Sequence, residues 1–217
     1  MSETRPPKRE RTRAKLVEAG LRVLAERGDA LTASEVVAEA DVANGTFYNH
    51  FLDRDDFIET LARESLKAIT TGSAEETEGT DPAWRFAVAS TRVLEAAVRD
   101  PLWGRAVLRL NECPTPPHAA VQQHLRADLA EGHRTGRFMY GDDPVTIDLV
   151  SGTLMAAVRR LVSPDHPRDD RDVPDVVTRL LEAIGLDHDD AHTLATAAHE
   201  AEQVPPGPET TPSSADR

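Results

Sequence analysis

The residues best suited to chemistry in this chain of 217 residues lie in one uncharged stretch, Asn44-Gly45-Thr46-Phe47-Tyr48-Asn49-His50-Phe51. On a helix, Phe47 and Phe51 share a face and bury together. Gly45, Thr46, Tyr48 and Asn49 then point away from that seam, and Asn44 and His50 flank it. The outward set offers a hydroxyl, a phenol, an amide and a glycine that lets another backbone come close. Such groups suit a surface that meets phosphate oxygens and base edges in a major groove.

Catalytic chemistry has no comparable focus. There is no acid and base pair, no Gly-rich phosphate loop and no ordered Ser, His and Asp set, so no catalytic residue and no cofactor is expected. His188 and His192 have the i, i+4 spacing of metal ligands, beside Asp187, Asp189 and Asp190. Those acids equally suit the start of a helix after Gly185, and no metal is expected. Cys113 is the single cysteine. It excludes an intrachain disulfide, and between Glu112 and Pro114 it reads as a packed thiol in a reducing compartment.

A net charge of −13 argues at first against a nucleic-acid partner. The charge is unevenly spread, however. Arg5, Lys8, Arg9, Arg11, Arg13 and Lys15 face only Glu3 and Glu10 in the first fifteen residues. A basic end on an acidic body fits a small DNA-contacting region, here with Arg9, Arg11 and Arg13 toward phosphate. No apolar run reaches a membrane span and no leader pattern is visible, so a cytoplasmic location away from membranes is expected.

The elements that must position these groups are helices throughout. Leu16, Ala19, Gly20, Val23 and Leu24 form one helix face, stopped by Gly28. Thr32 and Glu35 form a capping box before a short helix bearing Val36, Val37 and Ala40. The Asn44 segment follows, and Asp53 opens a further helix running to Thr71. Helices are also expected over 82–100, 102–110, 118–133, 145–162 and 173–184, with no strand-like alternation anywhere. The segment 201–217, rich in Pro, Ser and Thr, is too poor in apolar residues to fold.

Ala40 to Phe51, and above all Gly45-Thr46-Phe47-Tyr48 with His50-Phe51, resembles the recognition segment of the tetracycline-repressor family. Ala25-Glu26-Arg27-Gly28 is also similar, and the resemblance spans about Arg9 to Leu61. It implies an all-α fold with a three-helix helix-turn-helix DNA-binding domain and a larger C-terminal domain that dimerises and binds an effector. The expected boundaries are a flexible arm over 1–8, the DNA-binding domain over 9–62, the effector and dimer domain over 63–200, and the tail. The resemblance implies that Thr46, Tyr48, His50 and Arg54 contact bases and phosphates; Asn49 can read an adenine edge, and Asn44, Gly45 and Thr32 complete the DNA-facing set. The family's turn commonly reads Gly-Val-Ser-Lys where this chain has Asp41-Val42-Ala43-Asn44. The missing serine leaves Asn44 to cap the segment, and the missing lysine removes a charge that would face phosphate.

In the larger domain, Trp84, Trp103, Leu108, Met139, Tyr140 and Met155 are expected to line an effector cavity, with Arg105, Arg109, Asn111 and His118 orienting a polar group. The helix over 145–162 is apolar on two sides, which calls for two partners. Val145, Leu149, Gly152 and Ala156, with Val176, Val177, Leu180 and Leu181, are therefore expected to pair with a second copy as a four-helix bundle. The partners are thus operator DNA, a second copy and a small effector, with repression as the function. A dimeric interaction module whose degraded helix-turn-helix no longer binds DNA is the competing reading.

Overall fold

Helix α1 (Lys8–Arg27) ends where Gly28 takes φ 59°, a left-handed turn that glycine enters at little cost. The computed structural model describes residues 7–70, 79–112, 118–167 and 169–203, excepting the side chains at 29, 66–70 and 118–122. All elements among the described residues are helical. After a 3₁₀ turn at Gly28–Ala30 comes α2 (Ala33–Glu39), opened by the expected capping box. The Glu35 N–H donates to Thr32 Oγ1 at 3.3 Å, and the Thr32 N–H donates to the Glu35 carboxylate at 3.0 Å.

The segment α3 (Asn44–Asn49) is wound as a 3₁₀ helix, tighter than an α-helix. Its N-cap is Ala43, whose carbonyl accepts from the Thr46 N–H at 2.8 Å. The expectation that Asn44 caps the segment is therefore corrected: the helix starts one residue early and no side chain caps it. Phe51 lies beyond the last turn but stays in register, because its N–H donates to the Phe47 carbonyl at 3.0 Å. Helix α4 (Arg54–Thr70) follows, with the Asp53 carboxylate accepting from the Asp56 N–H at 2.9 Å.

The larger part comprises α5 (Pro82–Arg99), α6 (Pro101–Glu112), α7 (His118–Arg134), α8 (Pro144–Leu161), α9 (Asp172–Ala183) and α10 (His188–Gln203). Asp81 and Asp143 cap α5 and α8, and each helix begins with proline, which has no N–H to leave unbonded. Helix α10 continues through 201–203, so the chain stays folded into the segment expected as tail. Cys113 lies outside the described residues.

Two apolar cores form. Leu16, Leu24, Val36, Phe47, Phe57 and Leu61 build the first, from α1 to α4. Phe86, Leu94, Leu129, Val158, Leu180 and Ile184 build the second, from α5 to α10. Helix α6 belongs to both, since Ala106 and Leu110 enter the first core while Leu108 enters the second. It is pinned closely to α8: a Cβ on Gly104 would lie 2.5 Å from Val162 Cγ1. No helix among the described residues is long and apolar enough to cross a membrane.

Candidate nucleic-acid interface

Three buried rings set the orientation of α3. Phe47, Phe51 and Phe57 are almost fully enclosed, with centroids 5.3, 5.0 and 4.6 Å apart. Offset and edge contacts at such separations add about 0.5–1.5 kcal/mol per pair beyond area burial. The floor beneath them requires a bare backbone, because a Cβ on Gly20 would lie 2.4 Å from Phe57 Cζ. With Phe47 and Phe51 both turned inward, the short segment has one direction left for its remaining side chains.

That direction is solvent. Tyr48 is 67% exposed, its ring meeting Phe47 edge-on at 5.3 Å, so the phenol projects from a fixed base. Asn44, Gly45 and Asn49 are exposed, Thr46 and His50 half-buried, and nothing lies within 4 Å of a Cβ on Gly45. The outward set deduced from the phenylalanine spacing is thus brought together on one open surface.

Basic residues of α1 border it. The Arg13 guanidinium stands 5.8 Å from the Phe51 ring centre and bonds Glu64 at 3.2 Å. Arg9 lies one helical turn earlier, exposed, and Arg11 is half-buried. Burial, and after it the positive fields of Arg9 and Arg13, hold the His50 imidazole below its ordinary histidine value. Neutral His50 offers one donor and one acceptor rather than a fixed charge. Arg54 Nε donates to the Leu31 carbonyl at 3.2 Å, which ties the start of α4 to the entrance of α2.

Thr32, assigned to the DNA-facing set, carries another duty. The Thr32 hydroxyl donates to the Glu35 carboxylate at 2.8 Å and accepts the Glu35 N–H, so the capping box engages the group expected to face DNA. Asp41 stands at φ 52°, the left-handed position of the helix-turn-helix bend, which aspartate tolerates at modest cost. Its exposed carboxylate is a negative charge on the α2–α3 turn. Sequence reasoning missed Leu52, 87% exposed just after the aromatic seam; no pattern in the chain marks it.

The effector set divides between the second core and the surface. Leu108 is buried and Trp84, Trp103 and Met155 are half-buried against the second core. Met139 and Tyr140 are 64% and 48% exposed, and Arg105, Arg109 and Asn111 lie on the surface. Arg109 passes along Gly28, 3.4 Å from where its Cβ would be, and bonds Glu112 at 3.1 Å. The His118 side chain lies outside the described residues.

The expected dimer face divides likewise. On α8, Val145 and Leu149 are 75% and 48% exposed, Ala156 is exposed, and a Cβ on Gly152 would meet nothing within 4 Å. On α9, Val176 is half-buried, but Val177, Leu180 and Leu181 have no exposed surface at all. These three are corrected to core positions: they face α5 and α10 inside the chain's own second core and present nothing to another molecule.

Residues 81–197 match the family described as tetracyclin repressor-like, C-terminal domain, and residues 16–61 match bacterial regulatory proteins of the tetR family. This chain belongs to the tetracycline-repressor (TetR) family. The TetR fold recurs in solved structures that cover nearly the whole chain. RolR in complex with resorcinol is 27% identical, with a TM-score of 0.58 over 87% of this chain and 95% of that one. CprB from S. coelicolor A3(2) is 20% identical, with a TM-score of 0.65 over 91% of this chain and 100% of that one. FadR from Bacillus subtilis in complex with stearoyl-CoA is 18% identical, with a TM-score of 0.59 over 87% and 96%. No curated protein matches the chain in sequence. Membership in a family of transcriptional regulators gives the helix-turn-helix its context. Among the described residues of this TetR regulator no three His, Cys, Asp or Glu side chains form a metal-holding group; His188 and His192 stack at 5.9 Å, exposed, with Glu182 2.7 Å from His188.

Proposed function

We propose that this TetR-family regulator is a homodimeric repressor that holds operator DNA through α3 and releases it when a small effector enters the C-terminal helices. The observation that carries the reading is the construction of α3: rings beneath, hydrogen-bonding groups above, and Arg9, Arg13 and His50 at the rim. Tyr48, Thr46, Asn44 and Asn49 reach base edges and phosphates, and Gly45 lets the backbone approach closely. The α1 arginines replace in part the lysine absent from the turn. Arg11 and Arg54 add phosphate contacts at the margin.

The second copy pairs through Val145, Leu149, Gly152 and Ala156 of α8, with Val176 beside them. A dimer is needed because two α3 segments must meet successive major grooves, about 34 Å apart. RolR was solved with resorcinol and FadR with stearoyl-CoA, which supports a small organic effector here. With aromatic residues at only 4% of the chain, an aliphatic or modestly polar metabolite suits the interior better than a planar multi-ring drug. Helix α6 is the natural relay, because a shift driven from the second core moves Ala106 and Leu110 in the first.

The test is a binding titration of the full-length protein on the DNA upstream of its own gene, across a salt series, beside a scrambled duplex of equal length. Affinity should fall steeply as salt rises and should favour the upstream duplex. Equal, weak binding to both would instead favour the interaction module whose helix-turn-helix has lost its DNA.

A further inference from the structure

In the major groove, guanine is most often read by arginine or lysine, cytosine by a carboxylate and adenine by a side-chain amide. Residues 28–53, from the stop of α1 to the residue before α4, contain no lysine or arginine. Helix α3 has no acid either, and both acids of α2 are engaged within the protein. Glu35 closes the capping box, and Glu39 accepts from Arg22 Nε at 2.7 Å. The bordering arginines belong to α1 and α4. Arg13 is held by Glu64 and Arg54 by the Leu31 carbonyl, while Arg9 stands one helical turn before Arg13.

What α3 offers instead is amides. Asn44 and Asn49, its first and last residues, are both exposed. Because Ala43 caps the segment, the Asn44 side chain is not consumed at the helix start. Among the described residues neither amide has a hydrogen-bond partner, so each keeps its N–H donors and its carbonyl acceptor for another molecule. A recognition helix meets base edges with its N-terminal residues, which here begin with Asn44.

We infer that the base α3 selects is adenine, read by the amides of Asn44 and Asn49, so that each operator half-site is built around A·T pairs. The inference rests on the proposed DNA binding and adds the base that is chosen. Each amide donates from Nδ2 to adenine N7 and accepts an N6–H at Oδ1, a donor and acceptor pair that guanine, with two acceptors on this edge, does not match. Arg9 and Arg13 attract phosphate without choosing a base. Specificity and salt dependence therefore reside on different helices, the first on α3 and the second on α1.

Selection of binding sites from a random duplex library by the full-length protein, followed by titrations on the enriched duplex, tests this. A·T pairs should be enriched in the core of each half-site. Replacing an enriched adenine with 7-deazaadenine, in which a C–H stands in place of N7, should weaken binding by about tenfold. The paired substitution Asn44→Ala with Asn49→Ala should be indifferent to that replacement. Both positions are exposed, so the paired variant should melt with the parent protein. Three results would overturn the inference while leaving DNA binding intact: enrichment of G·C pairs sensitive to 7-deazaguanine, adenines indifferent to 7-deazaadenine, or a sensitivity that survives the paired substitution. No enrichment of any sequence would overturn the proposed function, and this inference with it.

Discussion

The outward sides of α3 and α8 are both left uncovered by the chain, but they are built in opposite ways. Under α3 lies an aromatic floor, and above it stand a phenol, an amide, a hydroxyl and an imidazole bordered by arginines. Under α8 lie Ile147, Val150 and Val158, and above them stand more aliphatic groups, Val145 and Leu149, with Gly152 leaving a gap. A polar surface over a fixed base suits a partner rich in acceptors and water, while an apolar one gains from another apolar face. One fold thus carries two chemically distinct open sides, which the proposed function assigns to DNA and to a second copy.

The comparison breaks most completely at the floor. Phe47→Ala should lower stability by about 3–5 kcal/mol and abolish DNA binding with it, read by thermal unfolding monitored by circular dichroism. Next in size is Gly152→Arg, which puts a charge where the α8 faces would meet. Sedimentation should show monomers, and operator affinity should fall by about two orders of magnitude as the paired α3 contacts are uncoupled. The melting profile of the isolated chain should scarcely change, because the position is open.

Tyr48→Ala sharpens the contrast with Phe47. It should cost about tenfold in operator affinity, a loss of about 1–3 kcal/mol at most, with no change in melting temperature. If the melting temperature collapsed as well, Tyr48 would belong to the floor. The smallest effect is expected from pH. His50 is held below its ordinary value in the free protein, so it is neutral near pH 7; a phosphate brought close raises that value, and the complex takes up a proton. Operator affinity should therefore rise a few-fold as pH falls from about 7.5 to about 6, and His50→Gln should flatten the slope. Without DNA the sign reverses: the depressed value makes the fold lose stability as pH falls below the ordinary histidine range.

Much of the DNA-facing site could be read from local spacing. Phe47 and Phe51 fix which way their neighbours point, although a 3₁₀ winding alone would set i and i+4 about 120° apart; the α-type bond from the Phe51 N–H to the Phe47 carbonyl brings both rings to one side. The Thr32 and Glu35 capping box and the Gly28 stop are likewise local events, complete within a few residues. What resisted reading was any role decided by a neighbour far along the chain. Val177, Leu180 and Leu181 have the same aliphatic character as Val145 and Leu149, and nothing local tells a stripe that meets its own chain from one that meets another. Thr32 looked available to DNA because the hydroxyl that caps a helix and one that meets phosphate are the same group.

By itself the sequence determined the helices, their stops and the inward turn of the two phenylalanines, because capping and side-chain spacing act within a turn or two of the chain. Only the tertiary structure decided which apolar stripes are consumed inside the molecule, that α6 joins both cores, and that Arg13 meets Glu64 beside the Phe51 ring. Burial and electrostatic environment depend on distance through space, and contacts between residues a hundred positions apart leave no mark on local composition.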